Sequence, residues 1–276
     1  MGLGSDILRE TIALRRAGML PDRAKVIEIG AQQLSNDFLR ADAELAELTR
    51  EFGLSALPHL GTPIGVGYTA TGLELQSDEA PSSRIFWEAI GCQYAAIDFD
   101  GHRDSHAVDL NRDRVPAELH NKFDLAINTG TTEHVANQDH AFRVIHDLVR
   151  KGGIMAHELP AAGMLTHGLV TYTMKFFWHL CRENGYQVLR LEMLPGGAAP
   201  LPDNIVATNR QYGRAHAAHP HEGEPIRDWY IAASLRKVSG AAYVTPLDLP
   251  PEIMPAKPLR SVNRGLRQVW NRLRKQ

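Results

Sequence analysis

The stretch FDLAINTGTTEHVANQDHAFRVIHDLVRKGGIMAH, residues 123–157, decides the fold. Phe123-Asp124-Leu125-Ala126-Ile127-Asn128 is a short, mostly apolar run, as expected of a strand buried on both faces. The segment around Phe142, Ile145, Leu148 and Val149 carries apolar residues at helical spacing, and Gly152-Gly153 predicts its stop. Gly153-Ile154-Met155-Ala156-His157 then reads as the next strand. Strand, helix and parallel strand form a βαβ unit, the repeating piece of a sheet covered by helices on both sides.

The same rhythm extends in both directions. Upstream, residues 5–20 predict a helix, and Lys25-Val26-Ile27-Glu28-Ile29-Gly30 a buried strand ending on glycine. Ser35 is placed to cap a helix with the apolar stripe Phe38, Ala41, Leu45, Leu48 and Phe52. Tyr94–Asp98 and His106–Asp109 read as further strands. Downstream come a helix with Phe176, Phe177, Leu180 and Cys181, and strands at 186–194 and 228–238. Residues 53–80, with five glycines and two prolines among 53–72, are too long for an ordinary connection and read as a loop-rich insertion suited to a lid.

The domain organisation expected is a domain over 1–244, a proline-rich linker over 245–258 and a basic amphipathic helix over 259–276. That last helix is suited to a membrane surface or a subunit contact. The 276 residues are 43% hydrophobic and carry a net charge of -2, a balance that does not suggest nucleic acid as partner. Cys92 and Cys181 read as small core residues of a reducing compartment. No apolar run approaches the roughly 20 residues of a membrane span, so a cytoplasmic protein is expected.

In a doubly wound sheet a ligand lies beyond the carboxyl ends of the strands. There the chain places Glu28-Ile29-Gly30-Ala31-Gln32, then Asp98-Phe99, then Asp109-Leu110. With the FDhhh strand, the EH pair at 133–134 and the GG turn, these motifs resemble those of class I S-adenosylmethionine-dependent methyltransferases over about residues 25–240. The segment His157-Glu158-Leu159-Pro160, followed by His167-Gly168-Leu169, resembles members from bacterial polysaccharide or secondary-metabolite pathways. The class I resemblance implies a Rossmann-like, doubly wound α/β fold with a mainly parallel seven-stranded sheet whose last strand is antiparallel. S-adenosylmethionine is the implied cofactor.

Carried over by position, Glu28, Gly30, Ala31 and Gln32 would lie under its methionine part. Asp98 would take the ribose, Phe99 would flank the adenine, and Asp109 and Leu110 would contact the base. Asn128 and Thr129 would close the site. The chain departs from the family in having Ala31-Gln32-Gln33 where further glycines usually follow. That leaves a non-catalytic binding protein of the same fold as one alternative. A nicotinamide oxidoreductase is the other, and the spacing opposes it. Gly30 and Asp98 stand 68 positions apart, against about 20 for a dinucleotide fingerprint.

The acceptor expected is a small molecule methylated on a hydroxyl, such as a sugar. His134 is the first candidate base, with Glu133 beside it and His157 and His167 next in order. Family members with E-x-x-E-H bind a divalent metal. Here Gly130 replaces the first acid, so a metal is a minor expectation, needing a further ligand such as His157. His216, His219, His221 and Glu222 read as a solvated loop.

Overall fold

A computed structural model describes residues 2–63, 67–68, 74–75, 80–163, 167–195 and 228–248. The expected helix at 259–276, most of the linker and the 216–222 histidines lie outside these residues.

The strands are β1 (Lys25–Ile29), β2 (Gly67–Tyr68), β3 (Glu74–Leu75), β4 (Gln93–Asp98), β5 (His106–Ala107), β6 (Phe123–Thr129), β7 (Val149–Ala162), β8 (Gln187–Pro195) and β9 (Trp229–Arg236). The helices are α1 (Ser5–Arg16), α2 (Asn36–Leu39), α3 (Asp42–Glu51), α4 (Arg84–Ala89), α5 (Gln138–Leu148) and α6 (Met174–Asn184). Seven strands form one sheet in the order β5-β4-β1-β6-β7-β9-β8, and β2 pairs with β3 alone. Neighbours from β5 to β7 are parallel, while β9 runs antiparallel to both β7 and β8. The fold is therefore the expected one, α/β and mainly parallel.

Every residue of β6 is buried, as a central strand requires. Its two polar ends have separate uses. At the start, Asp124 accepts from the Lys25 amide at 2.7 Å and from Arg150 Nε at 2.6 Å, tying β1 and β7 to β6. At the other end Asn128 and Thr129 lead into the site. Two apolar cores cover the sheet. One packs α5 and α6, through Phe142, Ile145, Phe177 and Leu180, on Ile27, Ala126 and Met155. The other packs α1, α3 and α4, through Leu8, Ile12, Leu48, Phe86 and Trp87, on Val26, Leu125 and Ile154.

Several boundaries differ from expectation for local reasons. The helix predicted from Ser35 to Phe52 is two helices. Ser35 caps the first, accepting from the Phe38 amide at 3.3 Å, and the chain breaks at Arg40-Ala41 before α3. The Gly152-Gly153 pair lies within β7 as an irregularity, after α5 has ended at Leu148. Gly153 is needed there, since a Cβ would stand 2.7 Å from the Phe123 carbonyl. β5 is a two-residue edge strand, so Asp109 lies beyond it, in a turn.

Candidate active site

Beyond the carboxyl ends of β1, β4 and β6 the chain makes three turns that bond to one another. Gly30 takes a φ of +79° and donates its amide to the Ile97 carbonyl at 2.8 Å. The next amide, of Ala31, donates to Asp98 Oδ2 at 2.8 Å, while the other Asp98 oxygen accepts from the Phe99 amide at 2.7 Å. Asp98 thus joins the β1 turn to the β4 turn. From the β6 side, Thr131 Oγ1 donates to the Ile29 carbonyl at 2.6 Å and accepts from Gln32 Nε2 at 3.1 Å. A Cβ on Gly30 would meet Thr131 Oγ1 at 2.5 Å, so glycine is required for steric as well as conformational reasons. Neither Thr131 nor its contact was legible in advance, because the contact is between distant segments.

Glu28 corrects its expected role. Its side chain is wholly buried and accepts from the Gln32 amide, Ser83 Oγ, Trp87 Nε1 and Tyr94 Oη at 2.7–3.0 Å. Burial raises its pKa above the usual carboxylate value, and these donors oppose the rise. Glu28 holds the turn from beneath, its carboxylate taken up by four protein donors. Asn128 is likewise turned inward, donating to Thr132 Oγ1 at 2.9 Å and meeting His157 Nδ1 at 3.1 Å. Asp109 accepts from the Asn111 amide at 2.9 Å, which holds its pKa below the usual value, and Leu110 beside it is buried.

Three features of this end suit a nucleoside bearing a charged amino-acid tail. Phe99 is 72% exposed at the end of β4, a free aromatic face beside the Asp98 carboxylate. That carboxylate has acceptor capacity left after its two backbone bonds, because each oxygen can accept twice. Gln32 Oε1 and Thr129 Oγ1 are buried at the turns without a hydrogen-bond partner. The residues present therefore fit S-adenosylmethionine.

A second cluster lies one turn further along the chain from Thr131. The 3-10 turn Thr132–His134 places Glu133 with its side chain 0% exposed, and neither carboxylate oxygen has a hydrogen-bond partner. His167 Nε2 stands 3.4 Å from Glu133 Oε1, and His134 Nε2 stands 4.0 Å from it. The two imidazole rings are 5.2 Å apart. His167 arrives because the Leu169 and Val170 amides donate to the Glu133 carbonyl at 2.8 and 3.1 Å. Gly168 allows that approach, since a Cβ there would be 2.8 Å from Glu133 Cγ. His134 is half exposed; its partial burial lowers its pKa, Glu133 raises it and His167 lowers it.

His157 does not join this cluster. It lies on β7 between the rings of Phe142 and Phe177, at 5.3 and 5.5 Å. Burial pushes its pKa down to about 3. The partner that joins Glu133 and His134 is His167, in place of the expected His157, which belongs to the core.

Fold and site geometry are those of a class I methyltransferase, with turns beyond β1, β4 and β6 that bond to one another. A model of the methyltransferase domain matches residues 8–194, and the chain belongs to that family, whose enzymes depend on S-adenosylmethionine. No curated protein matches the chain. Among solved structures it is similar to the Burkholderia thailandensis 1,6-didemethyltoxoflavin N1-methyltransferase, with 13% identity, 84% of this chain and 78% of that one covered, and a TM-score of 0.41. It is similar to a TehB-like methyltransferase from Corynebacterium glutamicum, with 11% identity, 82% and 86% covered, and a TM-score of 0.37. A third is a phosphoethanolamine N-methyltransferase from Haemonchus contortus, with 10% identity, 83% and 52% covered, and a TM-score of 0.41. No helix among the described residues is long and apolar enough to cross a membrane.

Proposed function

We propose that this enzyme methylates a hydroxyl of a small molecule, a sugar or a similarly hydroxylated metabolite. The observation that carries the reading is the cluster of Glu133, His134 and His167, which follows directly on the Thr131 side chain seated against the cofactor turn. S-adenosylmethionine supplies, when bound, a methyl group on a positively charged sulfur that is already activated for in-line displacement. The chain's own residues then have three tasks: alignment, exclusion of water and handling of the acceptor proton.

The Gly30–Gln32 turn would back the methionine part, with the buried Gln32 Oε1 and Thr129 Oγ1 as its free acceptors. Asp98 would take ribose hydroxyls and Phe99 the adenine face. Asp109 and Leu110, at the β5 turn, would border the base. On the acceptor side, Leu169 is 70% exposed beside the cluster. It would supply an apolar rim that excludes water. His134 and His167 would polarise or deprotonate the hydroxyl. The near-neutral net charge of -2 fits an uncharged small acceptor better than a nucleic acid.

Calorimetry with S-adenosylhomocysteine tests the cofactor half of this reading. Binding in the micromolar range, about -8 kcal/mol, is expected. Absence of binding to the folded chain would overturn it. The acceptor half is tested by incubating sugars, phenols and polyketides with cofactor and locating the added methyl by mass spectrometry. Methylation on nitrogen or carbon alone would remove the hydroxyl assignment. For the tail at 259–276, the basic, amphipathic sequence supports contact with an anionic membrane surface or with a partner subunit.

A further inference from the structure

We infer that Glu133, His134 and His167 form a binding site for one divalent transition-metal ion, open on the side that faces the acceptor. Among the described residues, these three make up the one group of His, Cys, Asp or Glu side chains whose ligand atoms all lie within 4.8 Å of one another. Proximity alone does not make a site. What points to a ligand is the state of Glu133. Its side chain is fully buried and both oxygens lack a hydrogen-bond partner. An ionised carboxylate in that condition is strongly destabilising unless a positive charge compensates it.

The neighbours do not compensate it by hydrogen bonding. His167 Nε2, although 3.4 Å from Oε1, is itself buried and makes no hydrogen bond. Three ligand-type atoms thus converge on one small volume at ion-pair distance, and neither oxygen of Glu133 is satisfied by a hydrogen bond. The edge of a tetrahedron of oxygen and nitrogen ligands about 2.1 Å from a central ion is roughly 3.4 Å. The His167 to Glu133 distance already matches that edge, while the 4.0 Å from His134 needs a contraction of about 0.6 Å, with all three ligand atoms within 4.8 Å of one another. The partly exposed His134 ring is free to make it.

The donor set selects the ion. Two imidazoles with one carboxylate suit zinc, iron, cobalt or nickel rather than magnesium or calcium, which prefer all-oxygen shells. Three protein ligands leave positions open, and open positions mark a site that binds substrate rather than one that staples the fold. Gly168 keeps that arrangement compact by letting the His167 segment lie against Glu133.

The role of the ion rests on the hydroxyl-methylation reading given above. With an ion bound, His134 and His167 would act on the acceptor through the metal instead of as free bases, and a hydroxyl on the open positions would release its proton to solvent more readily. The site itself stands independently of that reading.

The test uses the full chain, freed of metal by chelation. Because the histidines at 216, 219 and 221 also bind metals in principle, the background carries His216→Ala, His219→Ala and His221→Ala. Titration with Co²⁺, followed by visible absorption and calorimetry, is expected to give one ion per chain, displaced by Zn²⁺. Losing a partner that merely supports a ligand weakens metal binding about 10–100-fold. Glu133→Gln and His134→Ala should each therefore cost about a hundredfold or more. His140→Ala, an exposed histidine away from the cluster, should cost nothing. His134→Ala removes an exposed side chain, so it keeps the test valid should Glu133→Gln fail to fold. Absence of Co²⁺ and Zn²⁺ binding to the folded chain overturns the site, as does unchanged affinity in both variants. Calorimetry with S-adenosylhomocysteine on the same metal-free protein reports separately on the methyltransferase reading.

Discussion

Replacing Asp98 by asparagine keeps the shape of the side chain and removes what the site uses. Both carboxylate oxygens accept backbone amides, Ala31 N at 2.8 Å and Phe99 N at 2.7 Å. An asparagine has one acceptor oxygen and one donor nitrogen, so one of these amides must face another donor. A hydrogen bond to a charged group is worth about 1.5–3 kcal/mol, and the ribose contact loses its charge assistance as well. Part of the backbone term is spread over the free enzyme, since the two turns can relax before ligand arrives. A net loss of about 3 kcal/mol in binding S-adenosylhomocysteine follows, roughly a 150-fold weaker Kd. Calorimetry measures this directly, with circular dichroism and urea unfolding establishing that the variant is folded. An affinity within about threefold of the parent, or about 0.7 kcal/mol, would refute the reasoning. Asp98 would then be a structural residue joining two turns, with no place in the cofactor site.

Four other outcomes are expected. His134→Ala should lower turnover by about 10²–10⁴-fold, the usual cost of losing a group that handles a proton, with S-adenosylhomocysteine affinity unchanged; equal turnover would move the chemistry elsewhere. Gly168→Ala should push Glu133 and His167 apart, because its Cβ would lie 2.8 Å from Glu133 Cγ, destabilising the chain by about 1–3 kcal/mol and lowering turnover; a stable, active variant would show that the segment yields easily. His157 is buried with a pKa lowered to about 3, against 6.5 when unfolded, so the unfolded chain binds the extra proton and stability falls as pH drops from 6.5 toward 3. The slope is up to about 1.4 kcal/mol per unit, and His157→Phe should lose less stability than the parent between pH 7 and 5 in urea titrations. Deleting residues 256–276 should abolish association with anionic vesicles without changing cofactor affinity; persistence of that association would locate it in the body of the protein.

Much of the fold was legible because periodicity is a local property. Phe123–Asn128 and the stripe of Phe142, Ile145 and Leu148 needed only their own neighbours to be read as strand and helix. The turns proposed to carry the cofactor were legible for the same reason: Gly30 and Asp98 stand at strand ends whatever packs around them. Where a boundary depended on a distant contact, local reading failed. Gly152-Gly153 looked like a helix stop, yet Gly153 is there because the chain passes the Phe123 carbonyl, and the pair lies inside β7.

Within the site the division is sharper. Sequence alone nominated Glu28, Asn128, His134, His157 and His167 by type and place, without their orientations. Strand residues alternate faces, but which face holds a donor or a ring is settled by the elements packed there. Glu28 points at Ser83, Trp87 and Tyr94, and so became the post that holds the turn. His157 points at Phe142 and Phe177, and so joined the core. His167 was the least distinguished of the three candidate histidines in sequence. Two backbone hydrogen bonds to the Glu133 carbonyl carry its segment to the buried carboxylate. The chain's own order determined the class of protein, because strand, turn and helix are written in short-range patterns. Which charged groups meet depends on segments far apart in sequence, and only the folded structure decided that.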